Sequence, residues 1–315
     1  MNKILVIGDI MIDIHQECDS SRLSPEAPVP VCLLSKTRKF LGGSSNVAAQ
    51  IASDMGCTMA YIHSENDNAS TSEINKFRDM CNSKSIQLLP LKTRCNYVIP
   101  EKTRIWSNGQ QVCRVDREQE DIYFSGGVQL KWLEQIRKCI ERENIKLVIL
   151  SDYNKGLFDD DFLQQIVDLT NSMNVLTILD PKRPTYRNLR GVSIVTPNDA
   201  EMEKTIMLPD ELSENMVDTY LVHTRGSSGM DCYRNSKFLS HASAHCVEVF
   251  DTCGCGDTVV SFLALSLNRW HYNLNGESMR RSMEAASYAA SRTVMHHGSY
   301  VLTPDEISAV FVFVR

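Results

Sequence analysis

The stretch that most constrains this chain is residues 251–258, D-T-C-G-C-G-D-T, which a strongly apolar helical run follows directly. The glycines Gly254 and Gly256 permit a tight turn that presents successive backbone N–H groups, and at a helix N-terminus such groups form an anion site. A phosphate would repel Asp257 beside that site, so the useful role of Asp257 is general base toward a hydroxyl that attacks phosphorus. The alternative is a glycine turn in which Asp257 caps the helix, and for this motif alone that alternative is favoured.

Length and composition are those of an ordinary globular protein. The 315 residues suffice for one large α/β domain or two ordinary ones, and 43% of them are hydrophobic. The formal net charge of -6 argues against a nucleic-acid-binding face. No apolar run approaches the roughly 20 residues of a membrane span, and the start of the chain does not resemble a signal peptide. Eleven cysteines, an odd number, predict reduced thiols in a cytoplasmic protein.

Short apolar runs alternate with helical patterns along the chain. Buried strands are predicted at 4–7, 147–150, 175–179, 194–195 and 220–223, with helices at 45–55, 128–140 and 162–169. Such alternation favours an α/β fold in which helices flank a central, mostly parallel sheet on both faces. In such sheets ligands gather at the carboxyl ends of the strands. Several of the acids, glycines and asparagines considered below fall at those ends.

Two segments interrupt this alternation. Residues 15–39 contain three prolines, and residues 93–116 alternate apolar and polar side chains around the hairpin signal S-N-G at 107–109. Neither segment fits as a crossover helix. We expect both to be inserted in a single domain spanning 1–315, where they form a small antiparallel flap, or lid, over the strand ends. An open edge of this lid predicts a homodimer.

The order of three motifs carries a family resemblance: Gly42-Gly43 near the start, N-x-x-E at 198–201 and the 251–258 stretch near the end. Over nearly its whole length the chain resembles the ribokinase-like carbohydrate kinases of the phosphofructokinase-B family. The resemblance implies a ribokinase-like fold and ATP-dependent phosphoryl transfer with Mg²⁺. It makes Asp257 the catalytic base and places the anion site at Gly254, Cys255 and Gly256, with Gly256 also near the nucleotide.

Within that family, three stretches resemble the kinases of D-glycero-β-D-manno-heptose 7-phosphate: S-R-L-S-P-E-A-P-V-P-V at 21–31, R-I-W-S-N-G-Q-Q-V-C-R-V-D at 104–116 and L-S-D-Y-N-K-G at 150–156. The implied product is the 1,7-bisphosphate of the ADP-heptose pathway. The runner-up acceptors are fructose 6-phosphate, ribose or a nucleoside, and the competing class is a non-catalytic sugar-binding protein. The nucleotidyltransferase domain fused to many heptose kinases does not follow Arg315, so a separate nucleotidyltransferase is expected. Cys255 stands where the family usually has alanine, which places an oxidisable thiol in the site.

Candidate sugar-binding residues lie near the start of the chain. Asp13, expected to end the first strand, can accept hydrogen bonds from two vicinal sugar hydroxyls, as the resemblance also implies; a turn-capping aspartate is the alternative. Gly42 and Gly43 permit close approach to a sugar, and Asn46 offers both a donor and an acceptor. A plain helix start is the alternative for these three residues, but the resemblance assigns their motif to the sugar site.

Further candidates follow from the charge of a phosphorylated sugar. Arg104 on the lid and Lys155 after the strand at 147–150 can supply fixed positive charge to its phosphate, with simple solvation as the alternative for each. Asp152 is expected to hold the substrate or to orient Lys155.

Nucleotide and metal residues are expected in the second half. Asn198 and Glu201 open a helix after a strand, so both can point back to the strand ends. The resemblance assigns them to Mg²⁺ through its waters, and a helix-capping pair is a compatible alternative. Thr224, Gly226 and Gly229 in T-R-G-S-S-G would let that loop approach the nucleotide, although a β-turn has the same pattern. The resemblance also places a monovalent cation, K⁺, at Asp251, Thr252 and Ser299.

Overall fold

The computed structural model describes residues 3–64, 68–95, 97–119, 124, 126–183, 186, 189–204 and 218–314. In chain order the strands are β1 (Ile4–Gly8), β2 (Ile10–Leu23), β3 (Pro30–Gly43), β4 (Cys57–Ser64), β5 (Gln87–Thr93), β6 (Glu101–Ser107), β7 (Gln110–Arg117), β8 (Leu147–Ser151), β9 (Leu176–Asp180), β10 (Ile194–Val195), β11 (Tyr220–Thr224), β12 (Met230–Arg234) and β13 (Lys237–Ala242). The helices are α1 (Ser44–Ala52), α2 (Asn68–Ser83), α3 (Gly126–Glu143), α4 (Asp160–Ser172), α5 (Asp199–Lys204), α6 (Cys255–Arg269), α7 (Gly276–Thr293) and α8 (Pro304–Phe313).

Nine strands form the main sheet, in the order β13-β12-β11-β10-β9-β8-β1-β4-β5. From β11 to β5 all neighbours are parallel, whereas β12 and β13 add an antiparallel edge. Every residue of β1 and β8 is buried, so both faces of the sheet are covered at its centre. The α/β fold with a central, mostly parallel sheet that the alternation predicted is confirmed.

The helices that cover the main sheet carry local signals that fix where they begin. Asp159 caps α4 by accepting a hydrogen bond from the backbone N–H of Phe162, and α8 begins with a capping box between Thr303 and Glu306. The apolar face of α4 then buries side chains such as Phe162 and Ile166. Among the described residues, no helix is long and apolar enough to cross a membrane.

Four strands form the small sheet, in the order β3-β2-β6-β7. Strand β2 pairs with β3 antiparallel and with β6 parallel, and β6 and β7 form a hairpin. The turn of that hairpin is Asn108-Gly109, both with positive φ of 51° and 76°, as the sequence signal at 107–109 predicted. Every residue of β7 is exposed, so this sheet is covered far less than the main sheet.

The small sheet begins earlier in the chain than expected. Asp13 does not end the first strand: β1 ends at Gly8, and Asp13 lies inside β2, opposite Phe40. The reason is Asp9, whose buried carboxylate accepts backbone N–H groups from Tyr153, Lys155 and Leu157 and so fixes the chain where it leaves the main sheet. In the sequence, residues 4–14 form one largely apolar run that contains Asp9 and Asp13. Nothing in this run indicated that the chain passes from the main sheet to the small sheet at Asp9.

Candidate active site

The N-terminus of α6 forms the centre of the candidate site. Gly254 caps the helix with a φ of 74°, and a Cβ there would lie 2.7 Å from Nδ2 of Asn46, so both conformation and space require glycine. Gly256, in the first turn, is exposed, and a Cβ there would meet no described atom within 4 Å. Because the first N–H groups of a helix have no partner within the helix, this turn presents donors toward open space.

Asp257 is buried beside these donors, with 4% of its surface exposed. The hydroxyl of Tyr153 donates to its Oδ1 at 2.5 Å, and Nδ2 of Asn46 donates to its Oδ2 at 2.8 Å. Burial raises the pKa of Asp257, and the two hydrogen bonds partly oppose that rise. The carboxylate is therefore positioned on both oxygens, and its proton affinity is higher than that of an exposed aspartate.

Asp13 reaches from the small sheet to Ser299 and to Cys253, which lies just before α6. Its Oδ1 accepts from Nη1 of Arg104 at 2.7 Å, and its Oδ2 accepts from the hydroxyl of Ser299 at 2.8 Å. A Cβ on Gly42 would lie 2.5 Å from Asp13 Oδ2, so glycine at that position leaves room for the carboxylate. Gly43 has a φ of 57° and ends β3 immediately before α1. The structure thus brings together Asp13, Gly42, Gly43, Asn46, Arg104, Ser299 and Asp257.

Asp152 and Lys155 follow β8 but have other partners than expected. Nζ of Lys155 lies 2.5 Å from Oε2 of Glu118. The carboxylate of Asp152 accepts from Nε of Arg183 at 2.5 Å and from the hydroxyl of Tyr186 at 2.8 Å. The expectation that Asp152 orients Lys155 is therefore wrong, because the buried carboxylate of Asp152 is bound by the guanidinium of Arg183, which is distant in the sequence.

Asn198 and Glu201 form the capping pair that was the compatible alternative. The N–H of Asn198 donates to Glu201 Oε2 at 2.9 Å, and the N–H of Glu201 donates to Asn198 Oδ1 at 3.0 Å. Glu201 also accepts from Nζ of Lys182 at 2.6 Å, and that ammonium lies 3.6 Å from Asp180. These two carboxylates raise the pKa of Lys182, while burial raises the pKa of Asp180 to about 7.

The loop after β11 adjoins this pair. Thr224 forms a parallel bridge with Asn198, and its N–H donates to the carbonyl of Pro197 at 2.9 Å. Gly226 is exposed at the start of a short 3₁₀ turn, facing open space. Gly229 has a different reason to be glycine: a Cβ there would lie 2.2 Å from the carbonyl oxygen of Ala242.

The segment before α6 is held by its own hydrogen bonds. Asp251 accepts from the N–H of Cys253 at 2.9 Å and from the N–H of Gly298 at 2.8 Å. The carbonyl of Thr252 accepts from the N–H of Cys255 at 3.2 Å. Ser299 donates to Asp13, as described above. Across the described ranges, no three His, Cys, Asp or Glu side chains are grouped so that they could hold a metal ion.

Tyr153 is the residue that the sequence reasoning missed. Its hydroxyl binds Asp257, and Nζ of Lys102 and Nζ of Lys182 lie 5.4 and 5.6 Å from the centroid of its ring. Tyr153 lies within the stretch L-S-D-Y-N-K-G at 150–156 that carries part of the family resemblance. An aromatic residue two positions after a strand end, amid acids and lysines, was the available signal.

Comparison with known proteins places the chain in a family. Residues 95–306 match the model of the pfkB family carbohydrate kinases. The chain is 34% identical to bifunctional protein HldE of Helicobacter pylori over 98% of its own length, and 31% identical to bifunctional protein HldE of Azorhizobium caulinodans over 97%. It spans 66% and 64% of the length of those two relatives.

Solved structures show the same fold. Phosphofructokinase-2 from Escherichia coli, in complex with potassium, aligns with a TM-score of 0.75 at 13% identity, covering 100% of this chain and 99% of that one. Ribokinase from Giardia lamblia aligns with a TM-score of 0.71 at 14% identity, covering 99% and 100%. Together with the family match over 95–306, these findings show that the chain belongs to the pfkB family of carbohydrate kinases.

Proposed function

We propose that the protein transfers the γ-phosphoryl group of ATP to a hydroxyl of a sugar phosphate. The observation that carries this proposal is the buried Asp257, fixed by Tyr153 and Asn46 at the N-terminus of α6. The sugar hydroxyl gives its proton to Asp257 while its oxygen bonds to phosphorus, and ADP leaves. The first N–H groups of α6 stabilise the negative charge of the transition state.

The sugar is proposed to bind between the small sheet and α1, which makes the small sheet the lid. Asp13, which Arg104 and Ser299 hold, faces this space and accepts from vicinal hydroxyls of the sugar. Gly42 and Gly43 let the backbone approach the sugar closely. Oδ1 of Asn46 is buried and has no hydrogen-bond partner in the part of the chain that the structure describes. A small rearrangement would make it available to a sugar hydroxyl.

The nucleotide is proposed to lie along the 224–229 loop, with Thr224, Gly226 and Gly229 near its phosphates and ribose and Asn198 beside it. The donor set there suits Mg²⁺: Glu201 and Asp180 are carboxylates, and Oδ2 of Asp180 is buried without a hydrogen-bond partner among the described residues. Asn198 and Glu201 would hold the ion through its waters. Bound Mg²⁺ would supply neutralisation of the phosphate charges, and Lys182 adds a fixed positive charge from the protein.

A monovalent cation is proposed at Asp251, Thr252 and Ser299. The structure of Escherichia coli phosphofructokinase-2 contains potassium, which supports K⁺ as the ion. Here the segments 251–255 and 294–299 lie side by side through hydrogen bonds, so carbonyl groups of both are near one another.

The acceptor is proposed to be D-glycero-β-D-manno-heptose 7-phosphate, phosphorylated on its anomeric hydroxyl. Support comes from the three stretches that resemble heptose 7-phosphate kinases. The relatives are named as bifunctional and are longer than this chain, which weighs against the expectation of a separate nucleotidyltransferase.

All eleven cysteines are free, which agrees with the proposed cytoplasmic location.

An acceptor panel tests this proposal. Wild-type protein is assayed for ATP-dependent ADP release with heptose 7-phosphate, fructose 6-phosphate, ribose and adenosine, and ³¹P NMR identifies the product. We expect heptose 7-phosphate to give the highest kcat/KM and a 1,7-bisphosphate. Preference for ribose or adenosine would refute the acceptor, and binding of a sugar without turnover of any compound would favour the non-catalytic alternative.

A homodimer is proposed through the small sheet. Leu34 and Val115 are 58% and 56% exposed. Register places both on the face that also carries Ile14 and Cys18, opposite the face of Asp13. An apolar sheet face next to open edges is typical of a surface that a second copy covers.

A further inference from the structure

Lys102 lies on the face of the small sheet that is turned to the site. It is directly opposite Asp13 in the parallel register of β2 and β6, and its side chain is half-buried. Its Nζ lies 5.4 Å from the centroid of the Tyr153 ring, and the hydroxyl of that ring binds Asp257. Lys102 is therefore a neighbour of both Asp13 and the tyrosine whose hydroxyl binds Asp257.

Lys102 has no carboxylate within ion-pair distance among the described residues, although three carboxylates are near enough to act on its charge. Each of the three is already bound to another cation, at 2.5 to 2.9 Å: Asp13 to Arg104, Glu118 to Lys155 and Asp116 to Arg114. Of Lys102 and the three cations that bind these carboxylates, only Lys102 has no ion pair in the described part of the chain. The two cations that the sequence singled out, Arg104 and Lys155, are both paired, and the cation left over is Lys102.

The second lysine beside Tyr153 shows what Lys102 lacks. Lys182 lies 5.6 Å from the same ring but contacts Glu201 and Asp180, and these carboxylates raise its pKa. Burial instead lowers the pKa of Lys102. A half-buried ammonium without a counter-ion is unfavourable, so an anion bound beside it offsets the loss of hydration.

We propose that Lys102 directly binds the phosphate that the acceptor already carries. The class of ligand is a phosphate monoester of a sugar whose attacking hydroxyl lies at Asp257 and whose phosphate lies at the far end, under the small sheet. The position of Lys102 opposite Asp13, rather than next to Asn198 and Glu201, assigns it to the acceptor and not to the nucleotide. This inference rests on the proposed function and names the residue that selects phosphorylated over unphosphorylated sugars.

The experiment compares Lys102→Met, Lys102→Arg and the control Lys39→Met with wild type. Lys39 is exposed on the other face of the same sheet, where it is paired with Ile14 in the register of β2 and β3. Steady-state kinetics are measured with heptose 7-phosphate, with unphosphorylated heptose and with varied ATP. Lys102→Met is expected to raise KM for heptose 7-phosphate roughly 10- to 100-fold, the effect of one charge-assisted hydrogen bond. KM for ATP and kcat/KM for unphosphorylated heptose are expected to stay within about twofold, and Lys102→Arg to recover part of the loss.

Three outcomes separate this inference from the proposed function. A selective loss on heptose 7-phosphate in Lys102→Met but not in Lys39→Met supports the assignment. Normal use of heptose 7-phosphate by Lys102→Met overturns it and leaves the proposed function intact. Wild-type activity confined to unphosphorylated sugars refutes both, and it is recognised in the wild type before any variant is compared.

Discussion

The main sheet and the small sheet of this protein differ in what covers them. Strands β1 and β8 are buried along their whole length, whereas β7 is exposed at every position and half of the residues of β3 are exposed. The main sheet supplies Asp152, Asp180 and the chain that leads to Tyr153, and the small sheet supplies Asp13, Lys102 and Arg104. The main sheet is therefore buried in the protein's own core, whereas parts of the small sheet stay exposed.

This difference divides the functional residues into two kinds. Two of the carboxylates next to the main sheet are already bound by cations and other donors: Asp152 by Arg183 and Tyr186, and Glu201 by Lys182 and Asn198. The small sheet retains Lys102, which is half-buried and has no ion pair in the part of the chain that the structure describes, and it carries exposed apolar side chains such as Leu34 and Val115. Sites on a rigid core hold catalytic groups in place, while a less covered element can respond to ligands.

The largest expected effect is on stability. Ile149, at the centre of β8, is fully buried, and Ile149→Ala should lower the free energy of unfolding by about 2–5 kcal/mol. Val115→Ala on β7 should change it by less than about 0.5 kcal/mol at protein concentrations where the chain is monomeric. Urea denaturation followed by circular dichroism measures both. Equal decreases in the free energy of unfolding of the two variants would show that the two sheets do not differ in their contribution to stability.

The next effect concerns self-association. Leu34→Asp places a charge on the outer face of the small sheet and should weaken dimerisation at least about tenfold, because burying an unpaired charge is unfavourable. The matched control is Leu239→Asp on β13, where an exposed apolar side chain of the main sheet is replaced. Sedimentation equilibrium reports the dissociation constant. A dimer that only the Leu239 variant disrupts would assign the interface to the main sheet.

The smallest effect is on pH dependence. The hydrogen bond from Tyr153 lowers the pKa of Asp257, so Tyr153→Phe should raise that pKa further above the ordinary value. Asp257 acts as a base only when ionised, so the acid limb of the kcat/KM profile should move to higher pH by roughly 0.5–1 unit, the equivalent of one hydrogen bond of about 1 kcal/mol. Ser35→Ala, on the small sheet, is the control. An acid limb that does not move would show that Tyr153 does not act on the base.

The sequence predicted the main sheet better than the small sheet, for a physical reason. Buried parallel strands are continuous apolar runs, so β1, β8 and β9 were placed within a residue or two. Strands of the small sheet are half-exposed, and the run from residue 4 to 14 concealed the change of sheet at Asp9.

The site was predictable where a motif fixes the backbone, and unpredictable where distant side chains meet. The pattern at 251–258 indicated the glycine turn at Gly254, but it became a candidate for catalysis by Asp257 only with the family resemblance. The bond between Tyr153 and Asp257 joins residues 104 positions apart, and the pair of Arg104 and Asp13 joins residues 91 apart. Such contacts depend on how the small sheet lies over the main sheet, which local patterns do not encode. For the same reason the sequence selected Arg104 and Lys155 as phosphate ligands without showing that both are paired.

The most direct test concerns Asp257 as the catalytic base. ADP release with heptose 7-phosphate is compared between wild type and Asp257→Asn, with affinity for the sugar phosphate measured in parallel by calorimetry. We expect a loss of kcat of roughly 10²- to 10⁴-fold, the typical contribution of a general base, with affinity for the sugar phosphate within a few-fold of wild type. Turnover by Asp257→Asn at the wild-type rate would show that Asp257 is not the catalytic base.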